Sequence, residues 1–298
     1  MNSRGVYALI GGKGKLQEQI SYYDYINECP VKCKRFAEPC VGAGNITSLV
    51  MGKFDEVIIN DNDIRNINVY WGLRDYFEDV LKEAYRIEGI LYDYKDDKDK
   101  LNRTWNKICM YSKYRRGTVE KSNKEDKIKV FACALVYKNY VFNGTNSRSK
   151  NSSHGNLSAQ KVKKGDLIWN RHIQLETFNT PKIRMGNVDV IKFLDCELEN
   201  TEKVRDTFYF IDPPYLGAKV GYPDYIRCTG EEFHKQLCEK IRQLDNVMLC
   251  GFESELYKRE LEDHGFYKTF IGEKQVSASS KSGERRWVKE FIWTSYPV

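Results

Sequence analysis

The stretch RFAEPCVGAGNITSLVMGKFDEVIIND, residues 35 to 61, constrains the fold more than any other in the chain. An apolar segment runs into a glycine turn, a helical pattern follows, and a second apolar segment occupies residues 57 to 59. That order is a βαβ unit, in which two parallel strands are joined by a helix covering one face of the sheet. The C-terminal third repeats the logic with TFYFID, an amphipathic GEEFHKQLCEKIRQL, then NVMLCGF, SELYKRELEDHG and a final RRWVKEFIWTSY. The expected fold class is α/β, a mostly parallel sheet flanked by helices.

Between about residues 90 and 180 the character changes to mixed charge in DYKDDKDK, a basic aromatic YSKYRRG, one long apolar segment, and NGTNSRSKNSSHGNLSAQKVKKG. At 298 residues the chain is long enough for a domain that carries such an insertion. Thr145 to Lys164 holds Arg148, Lys150, Lys161, Lys163 and Lys164 and no acid, among Ser, Asn and Gly. It reads as a mobile loop able to follow a phosphate backbone, although a merely solvated loop is the plainer reading of the stretch on its own. The net charge of +6 permits a polyanionic partner without requiring one.

Apolar runs such as EVIIN and FACALVY fall well short of the roughly 20 residues a spanning helix needs, and the N-terminus has no signal-peptide core. A soluble, cytoplasmic protein with no membrane partner is expected. Nine cysteines, an odd number with several inside apolar stretches, point to reduced thiols. Cys29, Cys33 and Cys40 lack the fourth ligand of a structural zinc site, the nearest histidine being His154, so no metal is expected.

Asp212, Pro213, Pro214 and Tyr215 end the apolar segment TFYFI. A turn after a strand is the simple reading. Yet two prolines remove two N–H donors and fix two φ angles, leaving rigid carbonyls that can accept from a ligand. An amine conjugated to an aromatic ring is a poor nucleophile until its lone pair is turned toward an electrophile. Asp212 and the Pro213 carbonyl can each accept one N–H while Tyr215 stacks on the ring. The matching electrophile is the sulfonium methyl of S-adenosylmethionine (SAM).

In EPCVGAGNI, Gly42 and Gly44 let the backbone approach a nucleoside-type cofactor. Thr47 occupies the third glycine place of a dinucleotide fingerprint, which disfavours a dinucleotide. Asp61 follows Gly42 by about twenty residues, the spacing at which an acid takes ribose hydroxyls; a solvated acid at a strand end is its alternative. IGGKGKL fails as a triphosphate loop because Leu9 stands at the first glycine place and Leu16 follows the lysine. Lys13 there is either an exposed turn residue or a charge brought to a ligand. His154, His172, His234 and His264 form neither a metal pair nor a serine triad, and His234 is expected to cap or pack its helix.

Taken in order, GGKGKL, EPCVGAGNI, IINDND, FIDPPY, VMLCGFESELY and KEFIWTSY resemble the Dam-type DNA adenine-N6 methyltransferases. The resemblance covers about residues 5 to 80 and 180 to 298. It implies a SAM-dependent methyltransferase with a Rossmann-like sheet of seven strands, the last antiparallel, interrupted by a mainly helical DNA-recognition domain. Residues 1–88 and 179–298 would form the catalytic domain and 89–178 the insertion.

By the family pattern Lys13, Asp61 and Asp212 neighbour the cofactor, with Gly42 and Gly44 in its loop; Gly12 and Glu38 belong to the same motifs. GNVDVIKFL resembles the family's acidic segment, making Asp189 a partner of the SAM adenine. Asp212 to Tyr215 would hold the target base, flipped out because its amine lies inside the duplex stack. Leu9 and Cys40 stand where relatives usually carry tryptophan and phenylalanine, so a thinner apolar wall and weaker SAM affinity are expected. Candidate DNA contacts are Lys15, Arg115, Arg116 and Asn143, and along the basic stretch Arg148, Lys150, Lys161, Lys163 and Lys164. The implied partner is double-stranded DNA, met by a monomer, with a companion restriction endonuclease as a further expectation. The competing readings are the same chemistry on cytosine N4, RNA adenine or a protein amide, disfavoured by Asp rather than Ser or Asn at 212, and a DNA-binding relative with impaired catalysis.

Overall fold

The strands are β1 (Arg35–Glu38), β2 (Glu56–Asn60), β3 (Ile183–Gly186), β4 (Thr207–Ile211), β5 (Val247–Phe252), β6 (Tyr267–Val276) and β7 (Arg286–Thr294). The computed structural model describes residues 16–141, 157–218, 227–276 and 286–298. Within these residues the seven strands form one sheet in the order β3-β2-β1-β4-β5-β7-β6. β1 pairs in parallel with β2 and β4, β2 with β3, and β4 with β5. β7 inserts antiparallel between β5 and β6. The mostly parallel, seven-stranded architecture expected from the sequence is the one observed.

Side chains alternate between two faces, and both faces are covered, which is why the central strands are apolar throughout. Phe36, Val57, Ile59, Phe208, Phe210 and Met248 enter one core cluster. Ala37, Ile58, Tyr209, Ile211, Val247 and Leu249 enter the other.

The helices are α1 (Leu16–Asn27), α2 (Asn45–Val50), α3 (Ile64–Asp75), α4 (Phe77–Asp93), α5 (Lys98–Ser112), α6 (Arg116–Glu120) and α7 (Lys124–Tyr140). They continue with α8 (Ala159–Lys164), α9 (His172–Glu176), α10 (Val190–Leu198), α11 (Thr201–Arg205), α12 (Glu231–Ile241) and α13 (Glu255–Glu260). α10 and α12 cover the second cluster through Val190, Leu194, Leu237 and Ile241. No helix among the described residues is long and apolar enough to cross a membrane.

Everything from α4 to α9 lies in sequence between β2 and β3, so the expected insertion is helical. α7 is its centre, with every residue from Val130 to Tyr140 buried. Asn123 caps it by accepting from the Asp126 amide. α3 approaches α7 closely at Gly72, where a Cβ would lie 2.5 Å from the Cβ of Phe131. The ring of Trp105 on α5 stacks on Tyr137 with centroids 5.3 Å apart. Glu88 on α4 takes the amides of Leu167 and Ile168 and the hydroxyl of Tyr140. The boundary expected at residues 88/89 thus falls inside one continuous helix, at a residue that ties the segment together.

The stretch expected to be a loop up to Lys164 ends otherwise. Ser158 accepts from the Lys161 amide and starts α8, whose Val162 is buried against the first core cluster. A cap and one apolar anchor outweigh the polar composition there. Residues 142 to 156 lie outside the described residues.

Candidate active site

The polypeptide leaves β1 and turns through Gly42 (φ 49°) and Gly44 (φ 69°), both in the left-handed region that L side chains disfavour. At Gly44 a Cβ would fall 2.7 Å from the Tyr70 hydroxyl and 2.8 Å from Cζ of Phe178. Tyr70 donates to the Gly42 carbonyl at 2.8 Å, and its ring packs against Phe178 at 4.9 Å. Glu38 accepts from the Thr47 amide at 3.0 Å and from the Thr47 hydroxyl. The hydroxyl that replaces a third glycine therefore locks the strand end to α2. Glu38 shapes the turn.

Asp61, directly after β2, closes this turn from the side: its Oδ2 accepts from the Gly42 amide at 2.9 Å and its Oδ1 from the Asp63 amide at 2.8 Å. Burial raises its pKa first and the charge of Asp63 adds to that. The Asp63 amide, the Asn66 side chain and the Lys138 ammonium pull the other way.

Asn60 is fully buried and joins three segments, donating to the carbonyls of Pro39 and Val188 and accepting from the Val188 amide. It thereby fixes the approach to Asp189, which caps α10 by accepting from the Ile191 amide at 2.9 Å. Asn187 donates to the Asp61 carbonyl at 2.7 Å. Asn62, Asp189, Ile191, Lys192, Asp195, Cys228, Phe233 and Gln236 line a cleft of about 600 Å³, a size ordinary for a nucleoside-sized ligand.

β4, buried over its whole length, delivers Asp212 to the same sheet end. The Pro214 carbonyl receives a hydrogen bond from Nε2 of His234 at 3.1 Å, and Nδ1 of that ring takes the Tyr257 hydroxyl at 2.6 Å. The Tyr215 carbonyl accepts from the Ala218 amide at 3.0 Å. Among the described residues no donor reaches the Pro213 carbonyl. The Tyr215 hydroxyl donates to Glu290 of β7, and its ring meets Phe252 edge-on at 4.6 Å.

Cys40 shows that these parts converge. Burial raises its thiol pKa most, and the neighbouring Asp61, Asp212, Cys228 and Asp189 add to the rise. The expected cofactor neighbours Glu38, Cys40, Gly42, Gly44, Asp61, Asp189 and Asp212 are thus brought to one sheet end. Leu9, Gly12 and Lys13 lie outside the described residues, as do Lys15, Asn143, Arg148 and Lys150. No group of three or more His, Cys, Asp or Glu among the described residues is placed to hold a metal ion.

Arg115 and Arg116 line a second cleft of about 530 Å³ together with Lys113, Gly117, Ile64, Asn187 and Asn62, the last shared with the first cleft. Asn68 anchors this edge by donating to the carbonyls of Ser112 and Tyr114, each at 3.1 Å. Arg116 also pairs with Glu120 at 2.7 Å. Lys163 and Lys164 are exposed. Lys161 departs from expectation: its ammonium donates to the carbonyls of Asn139 and Val141 at 2.7 and 2.9 Å, turned inward to the end of α7. Burial lowers its pKa.

Asn60, Tyr70, Asn187, His234 and Glu290 shape the site without having been singled out as its members. Asn60 closes the apolar run EVIIN, and Asn187 and Glu290 lie within the segments GNVDVIKFL and KEFIWTSY. All five reach their partners across the fold.

The residues present suit SAM: a left-handed glycine turn, a buried acid bonded to it, and a cleft lined by Ile191, Phe233 and Asp189. None of the curated proteins compared with the chain matches it. The pattern of the D12 class N6 adenine-specific DNA methyltransferases matches residues 9–268. This chain therefore belongs to the D12 class N6 adenine-specific DNA methyltransferases, enzymes that carry a methyl group from SAM to adenine N6 in DNA.

Proposed function

We propose that Asp212 and the Pro213 carbonyl accept the two N–H bonds of the target adenine amine, and that Tyr215 stacks on its ring. The observation that carries this reading is the state of the corner's carbonyls. Those of Pro214 and Tyr215 are engaged by His234 and Ala218, and that of Pro213 has no donor among the described residues. A rigid acceptor beside a carboxylate turns the amine lone pair away from its own ring. SAM, when bound, supplies an electrophilic methyl on a sulfonium. No strong base is needed to begin, because the amine becomes acidic only once alkylated.

In this reading Asp61 takes the ribose hydroxyls, Asp189 the cofactor adenine, and Gly42 and Gly44 admit the donor to the backbone. Cys40 forms part of the wall around it. Arg115 and Arg116, with Lys163 and Lys164, meet phosphates of duplex DNA, and the segment around residues 89–178 acts as the recognition insertion. The nine free thiols fit a reducing compartment such as the cytoplasm.

The division of labour is tested by two variants. Asp61→Asn raises the Kd for SAM about tenfold, the scale of a lost hydrogen bond to a charged group, with DNA affinity kept. Arg115→Ala/Arg116→Ala does the reverse. Titration calorimetry for SAM and fluorescence anisotropy for DNA read both, and a SAM affinity that follows the arginines would refute the assignment.

A further inference from the structure

Lys138 lies on α7, in the helical segment between β2 and β3, yet its side chain is only 2 % exposed and reaches toward the sheet. Its Nζ sits 2.6 Å from Oδ2 of Asp63. Taking an ammonium out of water is costly, and a methionine of similar length would fill the same space without that cost, so stability alone does not account for a lysine here.

Asp63 leads onward. Its Oδ1 accepts from the Arg65 amide at 3.1 Å and caps α3, while its own amide donates to Asp61. Asp61 in turn holds the Gly42 amide. A continuous path therefore runs from α7 through Asp63 and Asp61 to the glycine turn. Asp61 and Asp63 are buried acids two residues apart, and each disfavours charge on the other. The Lys138 charge opposes that effect at Asp61 and pairs directly with Asp63.

We infer that Lys138 is a positioning residue for the methyl donor, holding Asp61 through Asp63 as the acceptor for the ribose hydroxyls. This rests on the reading of Asp61 given above. It also makes the helical segment, which carries the candidate DNA contacts, part of the cofactor site's framework.

The test uses the full chain and SAM itself. Lys138→Met raises the Kd for SAM about tenfold, while kcat at saturating SAM and DNA stays within about twofold, because Lys138 touches neither the amine nor the methyl. Asp63→Asn/Lys138→Met shows no further loss, since the two act along one path. Should Lys138→Met fail to fold, the double variant, lacking both buried charges, carries the test with the same expectation. Wild-type SAM affinity in whichever variant folds, or a fall in kcat at unchanged Kd, overturns the inference. Asp61→Asn separates the two readings. If it weakens SAM binding and the Lys138 variants do not, only the role of Lys138 fails; if it leaves SAM binding intact, the ribose assignment itself fails.

Discussion

A carbonyl can only accept, so the contact between Pro214 and Nε2 of His234 fixes the proton on Nε2 and leaves Nδ1 to accept from Tyr257. The ring is buried and neutral, its pKa pushed down to about 4 chiefly by burial. An unfolded histidine titrates near 6.5, so between pH 6.5 and 4 the unfolded chain binds a proton that the folded chain does not. The His234 contribution to stability is complete above that window and is lost as pH falls through it. Thermal unfolding followed from pH 7 to pH 4 therefore drops more steeply for the wild type than for His234→Gln, which keeps a donor but cannot titrate. Parallel curves would place the proton elsewhere. Tyr215 is held in a comparable way, by Glu290 at its hydroxyl and Phe252 at its ring. The corner's stiffness thus comes from residues behind it as well as from its prolines.

Among the elements, α8 separates two kinds of lysine that look alike in QKVKKG. The Lys161 ammonium caps carbonyls at the C-terminal end of α7, where a cation is favoured. Lys163 and Lys164 face solvent. Lys163→Ala/Lys164→Ala lowers the salt slope of DNA affinity by about 1–2, the loss of one or two phosphate contacts. Lys161→Ala leaves the slope unchanged and lowers the unfolding temperature. Anisotropy titrations at several salt concentrations, with a thermal melt of each variant, distinguish the outcomes; a slope that tracks Lys161 instead would reverse the assignment. The same helix shows the limit of local reading: the Ser158 cap, buried Val162 and the Lys161 bonds to the end of α7 hold a segment whose composition is that of a loop. β3 was hidden for the opposite reason, since of its four residues Ile183 alone is buried, Arg184 is exposed, and they present no apolar run.

At the scale of the molecule, what could be read from the sequence was what is contiguous: β1, the glycine turn, α2 and β2 in one stretch, and β4 with its DPPY corner in another. Their chemistry follows from neighbours in the chain. Asn60 with Val188, Glu290 with Tyr215, and Lys138 with Asp63 meet only because the sheet order and the packing of α7 bring them together. Cys40 illustrates both cases. Its place in EPCVGAG was evident in the sequence, but that it lies among Asp61, Asp189 and Asp212 is a property of three strand ends converging. The assembled site, with one proline carbonyl and one carboxylate at its corner, carries the account. Single-turnover methylation of duplex DNA by Asp212→Ala, with DNA binding measured on the same preparation, tests it most directly. Transfer to adenine N6 falls at least about a hundredfold while DNA affinity stays within about twofold; a variant that methylates at the wild-type rate would contradict it.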